Sequence, residues 1–457
     1  GYKRPHSHDI RCLALIGGSS MLISGGVDPR IFGYKAQQFL SQHPTPLSPA
    51  PQVPLMSTCT LHRTDPKHAS GSSPYKVHVL LVQHDQHLDV WQVHTTPAPP
   101  PHHGGQHHSS AASAQRPLPP KNTLQIKKSG EGHIVCSAIH PSGKLLVYSD
   151  NKQSVPVALS WTEDQAVGSH TCKASLLTGA SEKQCVTLPA AQCLAFSPDG
   201  GTLVLGRSDS IHILDVVDDE LQTYSLVSSD KLKESSLIPR SDEPVRLMQI
   251  SPDGLWLAVA RSSRVELYSM ESRSFHAILG PFSQPPSGLA FQPAHILTVV
   301  SVDNGLRQFD LVKKKMSALW SANSKKGLPS RFTKLRGGVC GMTHRPENEP
   351  SDRPRDCSAG STDIQALFFT TSAICYADFS RSFPSETKSG GKRRRVNGSG
   401  AFESSGEVGE NFRVVAQNDP LLFASFLTRD DLLLVETPWA SVLHQLPAPL
   451  HRHLYGS

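Results

Sequence analysis

The apolar residues of this chain fall into one recurring phrase. An alternating apolar stretch is followed by a turn built on Pro and Gly, a second apolar stretch, a small polar turn and a third strand. Four copies are plain, at Ile134–Tyr148, Cys193–Leu205, Val245–Val259 and Gly288–Val300. Their turn prolines, Pro141, Pro198, Pro252 and Pro293, stand 57, 54 and 41 residues apart. Those intervals bracket a period of roughly 40 to 45 residues once surface loops are allowed to grow. Ser-Pro-Asp-Gly occupies 197–200 and again 251–254. The chemistry of that turn is specific, because Pro presets the backbone angle early in a reversal while Asp and Gly accept the conformations that complete it.

Third strands then end in an aromatic or acidic residue at Ile211–Asp215, Val265–Tyr268 and Leu306–Asp310, where a WD repeat ends in Trp-Asp. Weaker copies lie at Ile10–Tyr34, Val77–Val93, Gly338–Phe379 and Leu421–Glu436. The pattern predicts an all-β fold, a WD-repeat β-propeller of seven or eight four-stranded blades formed by 1–457 as a single ring. A β-sandwich would not return the same turn at near-blade spacing. The run Leu432–Val435 after the polar Arg429-Asp-Asp431 reads as a hairpin, expected to share a blade with the strands near Ile10 and Leu22 and so to protect open edges.

Between the apolar stretches, three segments are too polar or too rich in Pro to offset the cost of ordering: about 41–73, 97–120 and 380–411. They are expected to be disordered loops projecting from the ring. The 36 prolines fit a globular chain interrupted in this way. Nine cysteines with no C-x-x-C pair suggest neither a disulfide framework nor a zinc knuckle, and fit a reducing compartment. No stretch approaches 18 apolar residues and Gly1–Pro5 opens no secretory signal, so a soluble intracellular protein is expected. A first residue other than Met, with a strand almost at once, leads to the expectation of a longer product. Of the net charge of +6, most lies in 301–457, an imbalance small enough to be an ordinary solvated surface.

Candidate chemistry is sparse. The run Pro101–His108 clusters imidazoles able to chelate zinc, copper or nickel, yet it lacks acidic or cysteine partners and fixed geometry, so no metal or cofactor is assigned. Nucleophile elbows, phosphate loops and His-Glu-x-x-His helices are all missing from the sequence, so no enzymatic activity is expected. Lys392, Arg393, Arg394 and Arg395 form a short basic run that reads as a nuclear-import signal, an RNA-backbone contact or plain solvated charge.

The C-terminal residues Pro420–Trp439, Gln445–Leu450 and Leu454–Ser457 resemble the tail of the cirhin family. The opening His6–Arg11 with Leu22–Asp28, and the middle Leu81–Trp91, are similar to the start of that family's second propeller. The resemblance implies a nucleolar WD-repeat subunit of the small-subunit processome, a non-catalytic scaffold supporting pre-ribosomal RNA transcription and processing. It implies two propellers in tandem, of which this chain matches the C-terminal one. The implied partners are other processome WD-repeat and scaffold proteins, pre-ribosomal RNA and a small nucleolar RNA particle, with no membrane and no small-molecule substrate. The alternative is a generic WD-repeat adaptor, as in a ubiquitin ligase or vesicle coat, which shares the propeller without nucleolar partners.

Overall fold

The computed structural model describes residues 9–16, 21–26, 31–35, 45–46, 55–60, 77–95, 119–164 (except 129 and 131), 169–177, 188–218, 224–231, 243–292, 295–317, 320, 328–346 (except 334, 336 and 337), 365–379 and 412–437 (except 418, 429 and 430). An N-terminal sheet holds β1 (Ile10–Ile16), β2 (Met21–Gly26), β3 (Ile31–Lys35) and β4 (Thr45–Pro46). Blade one holds β5 (Leu55–Thr60), β6 (Val77–Gln83), β7 (His87–His94) and β8 (Lys121–Lys127). Blade two holds β9 (Cys136–Ile139), β10 (Leu145–Ser149), β11 (Gln153–Asp164) and β12 (Ser169–Leu176), with β13 (Leu188–Pro189) beside β11. Blade three holds β14 (Cys193–Phe196), β15 (Thr202–Gly206), β16 (Ile211–Asp218) and β17 (Tyr224–Lys231).

Blade four holds β18 (Leu247–Ile250), β19 (Trp256–Ala260), β20 (Val265–Ser269) and β21 (Ser274–Leu279). Blade five holds β22 (Pro286–Phe291), β23 (Ile296–Ser301), β24 (Leu306–Asp310) and β25 (Lys315–Met316). Blade six holds β26 (Gly341–His344), β27 (Gln365–Phe369), β28 (Ala373–Asp378) and β29 (Phe412–Ala416), and blade seven is the hairpin β30 (Leu421–Phe426) and β31 (Leu432–Glu436). Every pairing is antiparallel. A short helix, α1 (Ser330–Thr333), lies between blades five and six and buries Phe332 against Phe368 and Phe412. Among the described residues no helix is long and apolar enough to cross a membrane. This is the WD-repeat β-propeller that the repeated turn predicts.

The second strands explain how the ring coheres. In β10 the side chains of Leu145 and Val147 join Leu194, Leu203 and Leu205 of blade three, while Leu146 and Tyr148 join Val79, Leu81 and Val90 of blade one. Each such strand is buried on both faces, because alternate residues point to the two neighbouring blades. The same division recurs in β6, β15, β19, β23 and β27, and it generates seven apolar clusters, one at each boundary between blades. At the last boundary Leu80, Val82 and Val93 of blade one meet Phe423, Leu433 and Val435 of blade seven, which closes the ring. Each fully buried Leu, Ile or Val contributes about 1.5–3 kcal/mol to this cohesion.

Two expectations are corrected. The stretch 41–73 is not wholly a disordered loop, since it contains β4 and the innermost strand of blade one, whose residues Met56–Thr60 are half-buried. Nor does the C-terminal hairpin share a sheet with the opening strands: β1 pairs with β2, and β30 pairs with β31 as a two-stranded sheet of its own. Closure comes from packing against blade one, and among the described side chains none of β1–β4 enters any of the seven clusters. The segments 97–118 and 380–411 lie outside the described residues.

Candidate interaction surface

The turn that carries the repeat is held by its own side chains. Ser197 Oγ donates to Asp199 Oδ1 at 2.5 Å and accepts from the Thr202 amide at 2.9 Å, while Asp199 accepts from Gly201 N at 3.1 Å and Gly200 takes φ +80°. Ser251, Asp253 and Gly254 repeat the arrangement in blade four. The Ser197 hydroxyl, with the Gly201 amide, holds the Asp199 carboxyl below the usual carboxylate range. Pro293 lies outside the described residues. These rigid turns surround one end of the channel that the seven inner strands enclose.

The channel consists of two cavities of about 410 and 560 Å³ that share Ser57, Thr58, Met248 and Gln249. The larger opens at Pro141, Ser197 and Pro198, the Pro-turn end. Among the described residues its walls carry hydroxyls, amides, thiols and apolar groups, with no Asp, Glu, Lys, Arg or His. Burial pushes the Cys59 thiol up to about 12, which keeps it protonated at neutral pH. Such a lining can pack and hydrogen-bond.

Charge sits instead at the ends of the ring, where it joins neighbouring blades. Glu266, 1% exposed, accepts from Arg261 Nε at 2.9 Å and from Arg264 Nη2 at 2.7 Å, and Arg261 reaches the Ser208 carbonyl of blade three at 3.1 Å. Asp150 meets Lys128 Nζ at 3.2 Å. Burial opposes its charge, but amides of Gln153 and Lys152 together with Lys128 outweigh that and lower its pKa. Arg273 bridges to Asp215 of blade three at 2.9 Å, and Gln292 of blade five reaches the Arg345 carbonyl at 3.1 Å. These contacts are rivets of a rigid body.

The two ends of the ring differ in the connections made within a blade. Because each blade is a meander, its first-to-second and third-to-fourth connections leave from one end and its second-to-third connections from the other. The second-to-third connections of blades one to six are three or four residues long, at 84–86, 150–152, 207–210, 261–264, 302–305 and 370–372. Long connections at 61–76, 95–120, 345–364 and 379–411 belong to the Pro-turn end. The basic run Lys392–Arg395 and the tract Pro101–His108 fall within two of these, both outside the described residues. The structure therefore brings neither to a described site. It does assemble a group that the sequence reading passed over, His84, His87 and Asp89, at the short-connection end. Its signal is a pair of histidines flanking a two-residue turn with an acid two residues on.

No family model matches the chain. Three curated proteins do. The mouse U3 small nucleolar RNA-associated protein 4 homolog is 23% identical over 99% of this chain and 58% of its own length. The fission yeast U3 small nucleolar RNA-associated protein 4 is 22% identical over 100% of this chain and 60% of its own. The human U3 small nucleolar RNA-associated protein 4 homolog is 22% identical over 99% and 58%. The chain thus spans about three fifths of the length of these relatives.

Proposed function

We propose that this chain is a non-catalytic scaffold in a U3 small nucleolar RNA-associated assembly, the small-subunit processome, and serves pre-ribosomal RNA transcription and processing in the nucleolus. The observation that carries the reading is similarity to proteins named for U3 association along essentially the whole chain. The channel chemistry supports it, since uncharged walls and buried thiols suit packing rather than turnover. So do the riveted blades, which would present fixed edges to protein partners while basic loops meet RNA phosphates. On this reading 1–457 supplies the C-terminal propeller of a tandem pair, with residues 55–436 forming its ring.

The test is affinity purification of the tagged full-length product from its own cells. U3 RNA, pre-ribosomal RNA and other WD-repeat subunits should copurify, and depletion should lower small-subunit RNA. Copurification of a ubiquitin ligase or coat complex without U3 RNA would replace the reading with the generic adaptor.

A further inference from the structure

We propose that His84, His87 and Asp89 form a binding site for a zinc-class divalent cation at the short-connection end of blade one. The register of the hairpin places them together. His84 N donates to the His87 carbonyl at 2.9 Å across the two-residue turn Asp85–Gln86, so the two histidines are cross-strand neighbours on one face of the sheet. Asp89, two residues further along β7, returns to that same face.

The distances suit an ion site. His84 Nε2 lies 3.4 Å and His87 Nε2 3.7 Å from the same oxygen, Asp89 Oδ2. Both exceed the range of about 2.7–3.2 Å that N–H···O bonds occupy. They approach the ligand-to-ligand edge of a tetrahedron around zinc, about 3.4 Å for metal–ligand bonds near 2.1 Å. All three ligand atoms lie within 4.8 Å of one another. The imidazole rings stack at 4.3 Å between centroids and 14° between planes, so joint ligation requires one ring to turn about its Cβ–Cγ bond and bring its in-plane Nε2 lone pair toward the same ion as the other.

The surroundings hold the carboxylate and the turn in place before any ion arrives. Gln125 Nε2 donates to the other Asp89 oxygen at 3.0 Å, the kind of outer contact that orients a ligating carboxylate. The turn tip is pinned by Ile134 N to the Asp85 carbonyl at 2.8 Å and by Lys128 N to the Gln86 carbonyl at 2.9 Å. The Asp89 side chain is mostly buried while His84 and His87 are about one-third exposed, so an ion enters from solvent and water completes the fourth position. Two imidazoles and a carboxylate suit zinc, and the set accepts cobalt as a spectroscopic probe.

The experiment must separate this site from the histidines at 102, 103, 107 and 108. The full chain with those four changed to Ser is titrated with zinc and, in parallel, with cobalt. One zinc per chain is expected, with cobalt absorption of tetrahedral intensity and weaker binding on acidification, because ligand imidazoles must be neutral. H84A and the near-isosteric D89N should each abolish that equivalent, and Gln125→Ala should weaken it about 10- to 100-fold. Both D89N and Gln125→Ala leave the histidines in place, so unchanged melting of either without metal separates loss of binding from loss of fold. No zinc bound by the His-tract variant, or full stoichiometry retained by D89N and H84A, overturns the proposal.

Discussion

His140 Nε2 lies 3.0 Å from the carbonyl oxygen of Gly200, which ties the Pro turn of blade two to that of blade three. His140 Nδ1 also meets Ser142 Oγ at 2.7 Å, and its ring stands edge-on to Phe196. A Cβ at Gly200 would collide with the His140 ring, and φ +80° there is left-handed backbone. Gly200→Ala should therefore lower stability by about 1–3 kcal/mol for the backbone, with a like amount for the collision. His140→Ala in the same chain should return only the collision term. Thermal unfolding of the two single variants and the double variant checks this, and additive losses would dismiss the contact.

Ring closure rests on Phe423, which packs against Phe369 of blade six at 6.0 Å between centroids and belongs also to the cluster shared with Val82 of blade one. Phe423→Ala is expected to cost about 3 kcal/mol. Deleting 421–457 should destabilise the whole ring, because it opens two blade boundaries at once. Unfolding of both proteins by denaturant is the measurement, and a truncated chain with the parent's midpoint would make the hairpin a peripheral tail.

Acid should find one weak point at His344, on the inner strand of blade six. Burial pushes its imidazole from 6.5 down to about 4, against the opposing pull of backbone groups at Gln365, whose carbonyl lies 3.2 Å from Nδ1, and at Ala290. The neutral form is favoured on folding, so this contribution is intact above about pH 6.5 and is lost as pH falls toward about 4. His344→Asn, which cannot titrate, should flatten that part of the stability profile by about 3 kcal/mol relative to the parent. Parallel slopes for the two proteins between those pH values would mean that the imidazole is not held neutral.

The basic run bears on location. Changing Lys392, Arg393, Arg394 and Arg395 to Ala should reduce nuclear accumulation of the fluorescently tagged chain. Undiminished accumulation would assign import to another segment or to a bound partner.

The sequence made the blades legible because the Pro turns are local chemistry: Ser197, Asp199 and Gly200 satisfy each other within five residues, so their pattern survives insertions elsewhere. β5 was hidden because six residues, Leu55–Thr60, sit between stretches rich in Pro and Ser, and composition averaged over a window outweighs so short a strand. The hairpin's true neighbour was hidden for a different reason. Leu433 and Val435 are apolar toward any partner, and alternation tells which face is buried without telling which blade buries it. His84, His87 and Asp89 form a group only after the hairpin register is known, whereas the histidines of 101–108 are conspicuous merely because they are consecutive.

The unequal ends of the ring have a practical consequence for anyone who wishes to label it. Along the Pro-turn end the chain already accommodates connections as long as 379–411, so a fluorescent protein or epitope grafted within 97–118 lengthens a connection between two strands of one blade, β7 and β8. At the opposite pole a three-residue hairpin such as 150–152 spends its backbone and side-chain bonds on closing the turn, with Asp150 Oδ1 taking the amides of both Lys152 and Gln153. A graft there would unlatch a strand pair. Reporters therefore belong in the long connections between strands of one blade rather than in the second-to-third hairpins.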